Sequence, residues 1–399
     1  MTEIIQGYPI PLESRVSRQD WDRPPWNRWS FQNIRQILPT TEVWRGNGKV
    51  RELDRKIPSK TQELAHLPFV TSDATPSTVQ NWIDSSYTDG IIVLHQGSIV
   101  FEQYHNGMSE RTLHLSQSMA KSIVGSVAGI LIGWGLLSPT EQVTTYLPEL
   151  AATGWKGATL QQVMDMTTGV RYIEDYEALD SDMAMTDFAS GWKLPPPGSF
   201  APTCMWDQIL TLTQTTRAHG EIFQYRSIET DVLAHCMERV TQTRLADLVS
   251  KELWQPLGCE ENASFTIDSA GYALANGGFN ATLRDYARFG QMLLDQGRVD
   301  DKQIVPAHWV NDVHNADHQL FGEPYTFGTP NGAYKNQFWI EDVAQKAFMA
   351  RGVFGQLIYI DPAHDMVVVK LSSWPEFVSL SRLRDALSSV HAMANALQG

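Results

Sequence analysis

Cysteine is scarce in this chain: there are three in 399 residues, Cys204, Cys236 and Cys259. An odd number at wide spacing supports neither a disulfide framework nor a cysteine-built zinc site. Positive charge is also short, with 31 Lys and Arg against 45 Asp and Glu and a formal net charge of -14. Phosphate recognition needs clustered Lys and Arg, so nucleic acid is excluded as a partner. A small substrate carrying an amine remains compatible with an acidic surface. Long apolar runs are missing too. The longest, Ile123 to Leu137, is broken by Ser126 and several glycines. It falls short of the roughly 20 apolar residues a membrane helix needs, so it reads as a buried core helix. Met1-Thr-Glu-Ile-Ile-Gln-Gly-Tyr-Pro lacks the basic start and apolar core of a signal peptide. The expectation is a cytoplasmic protein with no membrane partner.

What the chain does contain is a division into differently patterned stretches. Residues 1–75 are rich in Pro, Arg and Trp and show little periodicity, which predicts an extended arm on the surface. Gly90-Ile-Ile-Val-Leu-His-Gln and Ser98-Ile-Val-Phe-Glu-Gln-Tyr are β-rich runs that meet near Gly97, a hairpin signal. From about 140 to 310 the apolar spacing is mostly helical, as in Thr230-Asp-Val-Leu-Ala-His-Cys-Met. Strand character returns in Gln337-Phe-Trp-Ile, Gly355-Gln-Leu-Ile-Tyr-Ile and Met366-Val-Val-Val-Lys-Leu, before a last helix over about 377–397. Strands from both chain ends around a helical middle predict an α+β fold with one antiparallel sheet. The expected division is an arm (1–75), an α/β domain (76–139 with 275–399) and a mostly helical domain (140–274), with the active site in the cleft between them.

The chemistry centres on Leu115-Ser-Gln-Ser118-Met-Ala-Lys121. A serine hydroxyl is a poor nucleophile until a base takes its proton. At the start of a helix, Lys121 lies one turn beyond Ser118 on the same face. The helix N-terminus disfavours an added ammonium, and burial lowers a lysine pKa in the same direction. Alone the tetrapeptide is weak, because a helix-start serine followed by a surface lysine has the same spelling. Ser190-Gly-Trp-Lys193 repeats it and runs into three prolines that cannot open a helix. The apolar helix after Ser118 is what favours the buried reading. A second element is Gly220-Glu-Ile-Phe-Gln-Tyr225-Arg226-Ser227, whose tyrosine and serine hydroxyls can enter one cleft. Beside a lysine, the Tyr225 phenol is expected close to ionisation, shuttling a proton to a leaving group. The third is Arg351-Gly-Val-Phe-Gly-Gln356, where a small residue lets a substrate approach the backbone and an N–H can serve an oxyanion.

Together, in this order, the three elements resemble the serine β-lactamase and DD-peptidase superfamily, in the branch with class C β-lactamases, related esterases and 6-aminohexanoate-dimer hydrolases. The similarity to the last group, the nylon-oligomer amidases, covers most of the chain. It includes Trp26-Asn-Arg-Trp-Ser-Phe, Glu174-Asp-Tyr176, Ser190-Gly-Trp192, Ala275-Asn-Gly-Gly278 and Val369-Lys-Leu-Ser-Ser-Trp-Pro375. The resemblance implies a β-lactamase/transpeptidase-like fold with Ser118, Lys121 and Tyr225 catalytic. It also implies an oxyanion hole from the backbone N–H groups of Ser118 and Gln356. Tyr176 would lie over the acyl site, Trp192 and Phe354 would line the pocket, Asn276 would border it, and Asp187 would receive an ammonium group of the substrate.

The implied activity is amide hydrolysis through an acyl-enzyme, on linear amides such as 6-aminohexanoate oligomers, with carboxylesterase activity on short-chain esters. No metal or organic cofactor is needed, and a homodimer is the one assembly considered. Two departures bear on the substrate. β-Lactamases of this superfamily carry a cation where Val353 stands and a small hydroxyl residue where Phe354 stands. Arg226, in the middle of the tyrosine string, is bulkier than usual. Other readings are a carboxylesterase or β-lactamase-like enzyme without useful amidase activity, and a non-catalytic binding protein on the same fold. A metal hydrolase is the rival from another class. It would use His314 and His318 at helical i, i+4 spacing, although Asn315 stands where a zincin needs glutamate.

Overall fold

The computed structural model describes residues 4–56 and 63–398. Its frame is a seven-stranded antiparallel sheet. In chain order its strands are β1 (Thr88–His95), β2 (Ser98–Tyr104), β3 (Ala333–Lys335), β4 (Phe338–Ile340), β5 (Phe348–Gly352), β6 (Gln356–Asp361) and β7 (Met366–Ser372). Their spatial order is β3-β4-β5-β6-β7-β1-β2. The N-terminal hairpin is therefore stitched to C-terminal strands through the β7–β1 ladder, which runs from Met366↔His95 to Leu371↔Gly90. β-Branched residues fill β1 and β7 because both faces of these central strands are covered. Each fully buried Val or Ile contributes roughly 1.5–3 kcal/mol.

Four helices matter for the site: α1 (Ala120–Gly133), α2 (Ile228–Thr241), α3 (Leu283–Leu294) and α4 (Leu380–Leu397). The period-two alternation of the strands sorts their side chains between two cores. Ile92, Leu94, Ile358, Val367 and Val369 pack in the core that holds α3 and the helical region. Ile91, Val93, Leu357, Tyr359 and Val368 pack in the core beneath α4. On this α4 face Arg351, Leu357 and Lys370 stand side by side across three strands. Helix α1 is the apolar stretch read from the sequence, and every residue from Ala120 to Leu131 is buried.

The N-terminal segment differs from the expected surface arm. Trp21 and Phe31 are completely buried, and Asn27 donates to the Trp374 carbonyl at 2.7 Å. Thr40–Val43 pairs with Ala263–Thr266 in a second, four-stranded sheet that also holds Phe279–Ala281 and His114–Leu115. The segment carries no periodicity because its buried aromatics, Trp21 and Phe31, meet edge to face at 6.0 Å from positions ten apart and not along one face of an element. The histidine pair also departs from expectation. His314 and His318 fall in separate 3-10 turns, Val313–Asn315 and His318–Leu320, and share no helix face. Among the described residues no cluster of three His, Cys, Asp or Glu could hold a metal. None of the helices described is long and apolar enough to cross a membrane.

Candidate active site

The small sheet delivers the nucleophile. Leu115 N–H donates to the Phe31 carbonyl at 2.8 Å and Ser116 N–H to the Phe279 carbonyl at 2.8 Å. These bonds pin the chain just before a 3-10 turn, Gln117–Met119, that leads into α1. Gln117 takes a left-handed φ of 49°, so the backbone turns sharply and leaves Ser118 half-buried. One turn on, the wholly buried Lys121 donates from Nζ to Ser118 Oγ at 2.8 Å and to the Asn276 carbonyl at 2.6 Å. Burial pushes this lysine down to about 8, against the raising pull of Glu174 and Asp231. Asn276 is held in turn, its amide donating to Asp231 at 2.6 Å.

Tyr225 arrives from the loop before α2, which packs beside α1. The loop is fixed at Phe223, Gln224 and Tyr225, whose N–H groups donate to Leu320 O, Met166 O and Tyr325 OH at 2.8, 3.0 and 2.9 Å. The Lys121 ammonium lies 5.1 Å from the Tyr225 ring centre, and the Tyr225 phenol borders the same cavity as Ser118. The phenol is not near ionisation. Burial and the charge of Glu174 push it well above its ordinary value, outweighing the lowering effects of Ser118 and Arg351. At neutral pH it is therefore a proton donor, and Lys121 is the group able to act as base. The bulky Arg226 turns away from the site. Completely buried, its guanidinium bonds Glu229 at 3.2 Å and Gln224 at 3.0 Å and also reaches the Thr168 carbonyl. It ties the tyrosine loop to the start of α2.

The third element is a hairpin turn: β5 ends at Gly352, Val353–Gly355 turn, and β6 starts at Gln356, with Gly352 paired to Gln356. A Cβ on Gly352 would stand 2.6 Å from the Ser116 carbonyl, so only glycine lets the hairpin lie against the nucleophile strand. Gly355, at φ 86°, would drive a Cβ into the Trp374 ring at 2.2 Å. The Gln356 side chain is clamped across the sheet, donating to Ser372 O at 2.6 Å and accepting from Ser372 N–H at 3.1 Å.

Ser118, Tyr225 and Gln356 border one cavity of about 410 Å³. Tyr176 is also on its wall, stacked on Phe377 at 5.3 Å and donating its phenol to Glu174 at 2.7 Å. Glu174 takes two more bonds from Ser227, so one member of the acidic stretch 174–187 sits inside the site. The other expected pocket residues stand behind the wall. Phe354 is packed between Phe31 and Phe377, at 5.1 and 4.5 Å. Trp192 is buried against Trp21 and donates to Thr266 at 2.9 Å, while Asn276 supports Lys121 from below. Asp187 already has a cation, Lys193, at 3.3 Å, and that same Lys193 reaches Asp22 at 2.8 Å. Burial raises the Asp187 carboxyl to about 6.

Residues that sequence reasoning passed over complete the wall: Trp339, Arg351, Lys370, Trp374 and Phe377. Arg351 stands at the head of the string that ends at Gln356, but no local pattern marks its role; the register of β5 on β6 and of β6 on β7 places it on the same face as Leu357 and Lys370.

Comparison with known proteins places this geometry. The family described as beta-lactamase matches residues 85–391. The 6-aminohexanoate-dimer hydrolase of Paenarthrobacter ureafaciens is 34% identical over 374 residues, covering 92% of this chain and 91% of the relative. A solved Bacillus anthracis structure assigned as a 6-aminohexanoate-dimer hydrolase superposes with a TM-score of 0.85 at 29% identity, covering 98% of this chain and 97% of the other. EstCE1, a hydrolase with promiscuous acyltransferase activity, shares the fold at a TM-score of 0.63 and 15% identity, over 86% of this chain and 98% of its own.

Proposed function

The chain belongs to the β-lactamase family, with the β-lactamase/transpeptidase fold and a hydrolase of that serine superfamily as its nearest description; from that premise we propose that it cleaves linear amides, such as 6-aminohexanoate oligomers, through an acyl-enzyme on Ser118. Short-chain esters are lesser substrates of the same site. The observation that carries the reading is the buried Lys121 amine, 2.8 Å from the serine hydroxyl and pushed down to about 8. A lysine so placed is in part neutral near pH 8 and can accept a proton.

In the proposed cycle neutral Lys121 takes the Ser118 proton as the serine oxygen bonds to the carbonyl carbon. The resulting anion is held by the backbone N–H groups of Ser118 and Gln356. Collapse breaks the C–N bond while the Tyr225 phenol gives its proton to the leaving nitrogen, with Tyr176 assisting. The Lys121 ammonium returns a proton to the phenolate, leaving an acyl-serine, a free amine and the starting charges. Water then adds to the acyl group by the same steps in reverse. The valine at 353 argues against β-lactams as the main substrates, and the half-open aromatic wall suits a flexible chain.

The test compares linear 6-aminohexanoate dimer with p-nitrophenyl butyrate, each on wild type and Ser118→Ala. Serine-dependent amine release from the dimer is the expected result. Ester cleavage alone would make the protein an esterase, and no cleavage of either would favour a binding protein.

A further inference from the structure

The cavity wall holds two cations, and their circumstances differ. Lys370 is buried, with Nζ bonded to the Ser372 hydroxyl and 3.4 Å from the Ser86 carbonyl, over the Trp82 and Trp374 rings. Its donors are committed. Arg351 is half-buried on the same face of the sheet, one strand beyond Leu357. Its guanidinium carbon sits over the Trp339 ring, 4.6 Å from the ring centre. Among the described residues it has no hydrogen bond and no carboxylate partner. None of its nitrogens is among the buried unpaired atoms, so they keep some exposure, and Arg351 is one of the residues lining the cavity. The acids near it are occupied. Glu341 accepts from Tyr359 at 2.7 Å and His391 at 3.1 Å. Glu174 accepts from Tyr176 and from Ser227 twice.

An arginine that keeps a fork of N–H donors free in an apolar, aromatic pocket is unusual. Burial already acts on it, lowering its value to about 10. An anion that formed paired N–H···O bonds would offset that cost, and the planar fork matches a carboxylate. Trp339 fixes the fork from below and itself stacks on Tyr225 at 5.3 Å, so the free donors lie on the side of the cavity where the leaving group is protonated. The proposed ammonium receptor, by contrast, is filled by Lys193.

We propose that Arg351 is the receptor for a free carboxylate on the leaving half of the substrate, so that this enzyme selects amides of amino acids whose acid end lies a flexible chain away from the scissile nitrogen. The assignment of the acid to the leaving half rests on the amidase reading; carboxylate binding at Arg351 does not. It also supplies the cation that Val353 fails to provide, from two residues earlier, at the end of β5.

The experiment is calorimetric and needs no turnover. N-acetyl-6-aminohexanoate and its terminal carboxamide are titrated into Ser118→Ala protein, then into Ser118→Ala proteins that also carry Arg351→Gln or Arg351→Lys. Thermal melts confirm that each is folded. The carboxylate is expected to bind about tenfold or more tighter than the carboxamide, a preference that Gln abolishes and Lys keeps in part. Equal binding of the two ligands, or a preference that survives Arg351→Gln, overturns the proposal. Turnover of linear 6-aminohexanoate dimer by wild type separates the readings. A binding preference without cleavage would sink the amidase and leave the carboxylate site standing. A role for Arg351 only in tuning Tyr225 would shift a pH profile and leave the ligand ratio at one.

Discussion

The two walls of the cavity are built on different principles. On one side, Ser118 and Lys121 share a turn, and every polar atom that serves them has a fixed buried partner: Asn276 holds Lys121, and Asp231 holds Asn276. On the other, Trp339, Arg351 and Phe377 come from distant stretches of chain and are placed through ring contacts at 4.6–5.3 Å, with Arg351 and Phe377 only half-buried. A hydrogen-bonded buried network tolerates little displacement, since any unpaired member is costly. Ring stacks and a free guanidinium have broader minima and can adapt to a ligand. The chemistry is thus held rigid, while selection among substrates is left to parts that can move and vary.

The sharpest way to break this contrast is to remove the base. Lys121→Met keeps the volume and hydrophobicity of a buried side chain, so the fold should survive. Turnover of p-nitrophenyl butyrate should fall about 10²- to 10⁴-fold, the usual worth of a positioned acid–base group. In the wild type, kcat/KM should rise with pH and level off above about 8, because the neutral form of Lys121 is the active one and protonation below that value removes it. A Lys121→Met enzyme with less than a tenfold loss, or a profile that falls with rising pH, would place the base elsewhere.

A second substitution asks whether the rigid side extends beneath Tyr225. Arg226 and Glu229 are both completely buried, and Glu229 also accepts from Trp155 at 2.8 Å. Arg226→Ala leaves that carboxylate without its cation. Breaking a buried pair in this way costs about 3–5 kcal/mol. Chemical denaturation should show a loss of this size, with activity lost in step with the fold. A stable Arg226→Ala protein with altered substrate preference would instead make Arg226 part of the adaptable wall.

The same contrast explains what could be read from the sequence. Ser118 with Lys121, and Tyr225 in its string, are local patterns, since helix spacing or a single loop carries them. The strands of both chain ends announce themselves by β-branched runs, while the order of the large sheet, with Ala333–Lys335 and Phe348–Gly352 in it, comes from the structure. The pocket wall has no such signature. Phe354 and Trp192 are aromatic and near the right motifs, yet three-dimensional packing keeps both off the cavity wall, Phe354 against Phe377 and Trp192 against Trp21. Trp21 and Phe31 meet edge to face in the core from a stretch with no long regular element, so no period marks them. Arg351 was visible but unread, since only the β5–β6 register shows which face it occupies.

The smallest effect is expected where the sequence pointed most directly to a ligand. Asp187 lies beside Lys193, and that lysine also has Asp22 at 2.8 Å. Asp187→Asn therefore removes one of two anions around a cation that stays paired. Because Lys193 keeps Asp22 as its partner, KM for 6-aminohexanoate dimer should change by less than about fivefold, on the order of 1 kcal/mol. The comparison that sharpens this is N-acetylated dimer, which lacks the free amine. If Asp187→Asn raises KM far more for the dimer than for its acetylated form, the ion pair opens when substrate binds. Asp187 would then act as an ammonium receptor released from Lys193, and the adaptable wall would extend past Phe377 to this pair. An equal, small change for both would leave Lys193 closed and the recognition of charge to the opposite end of the substrate.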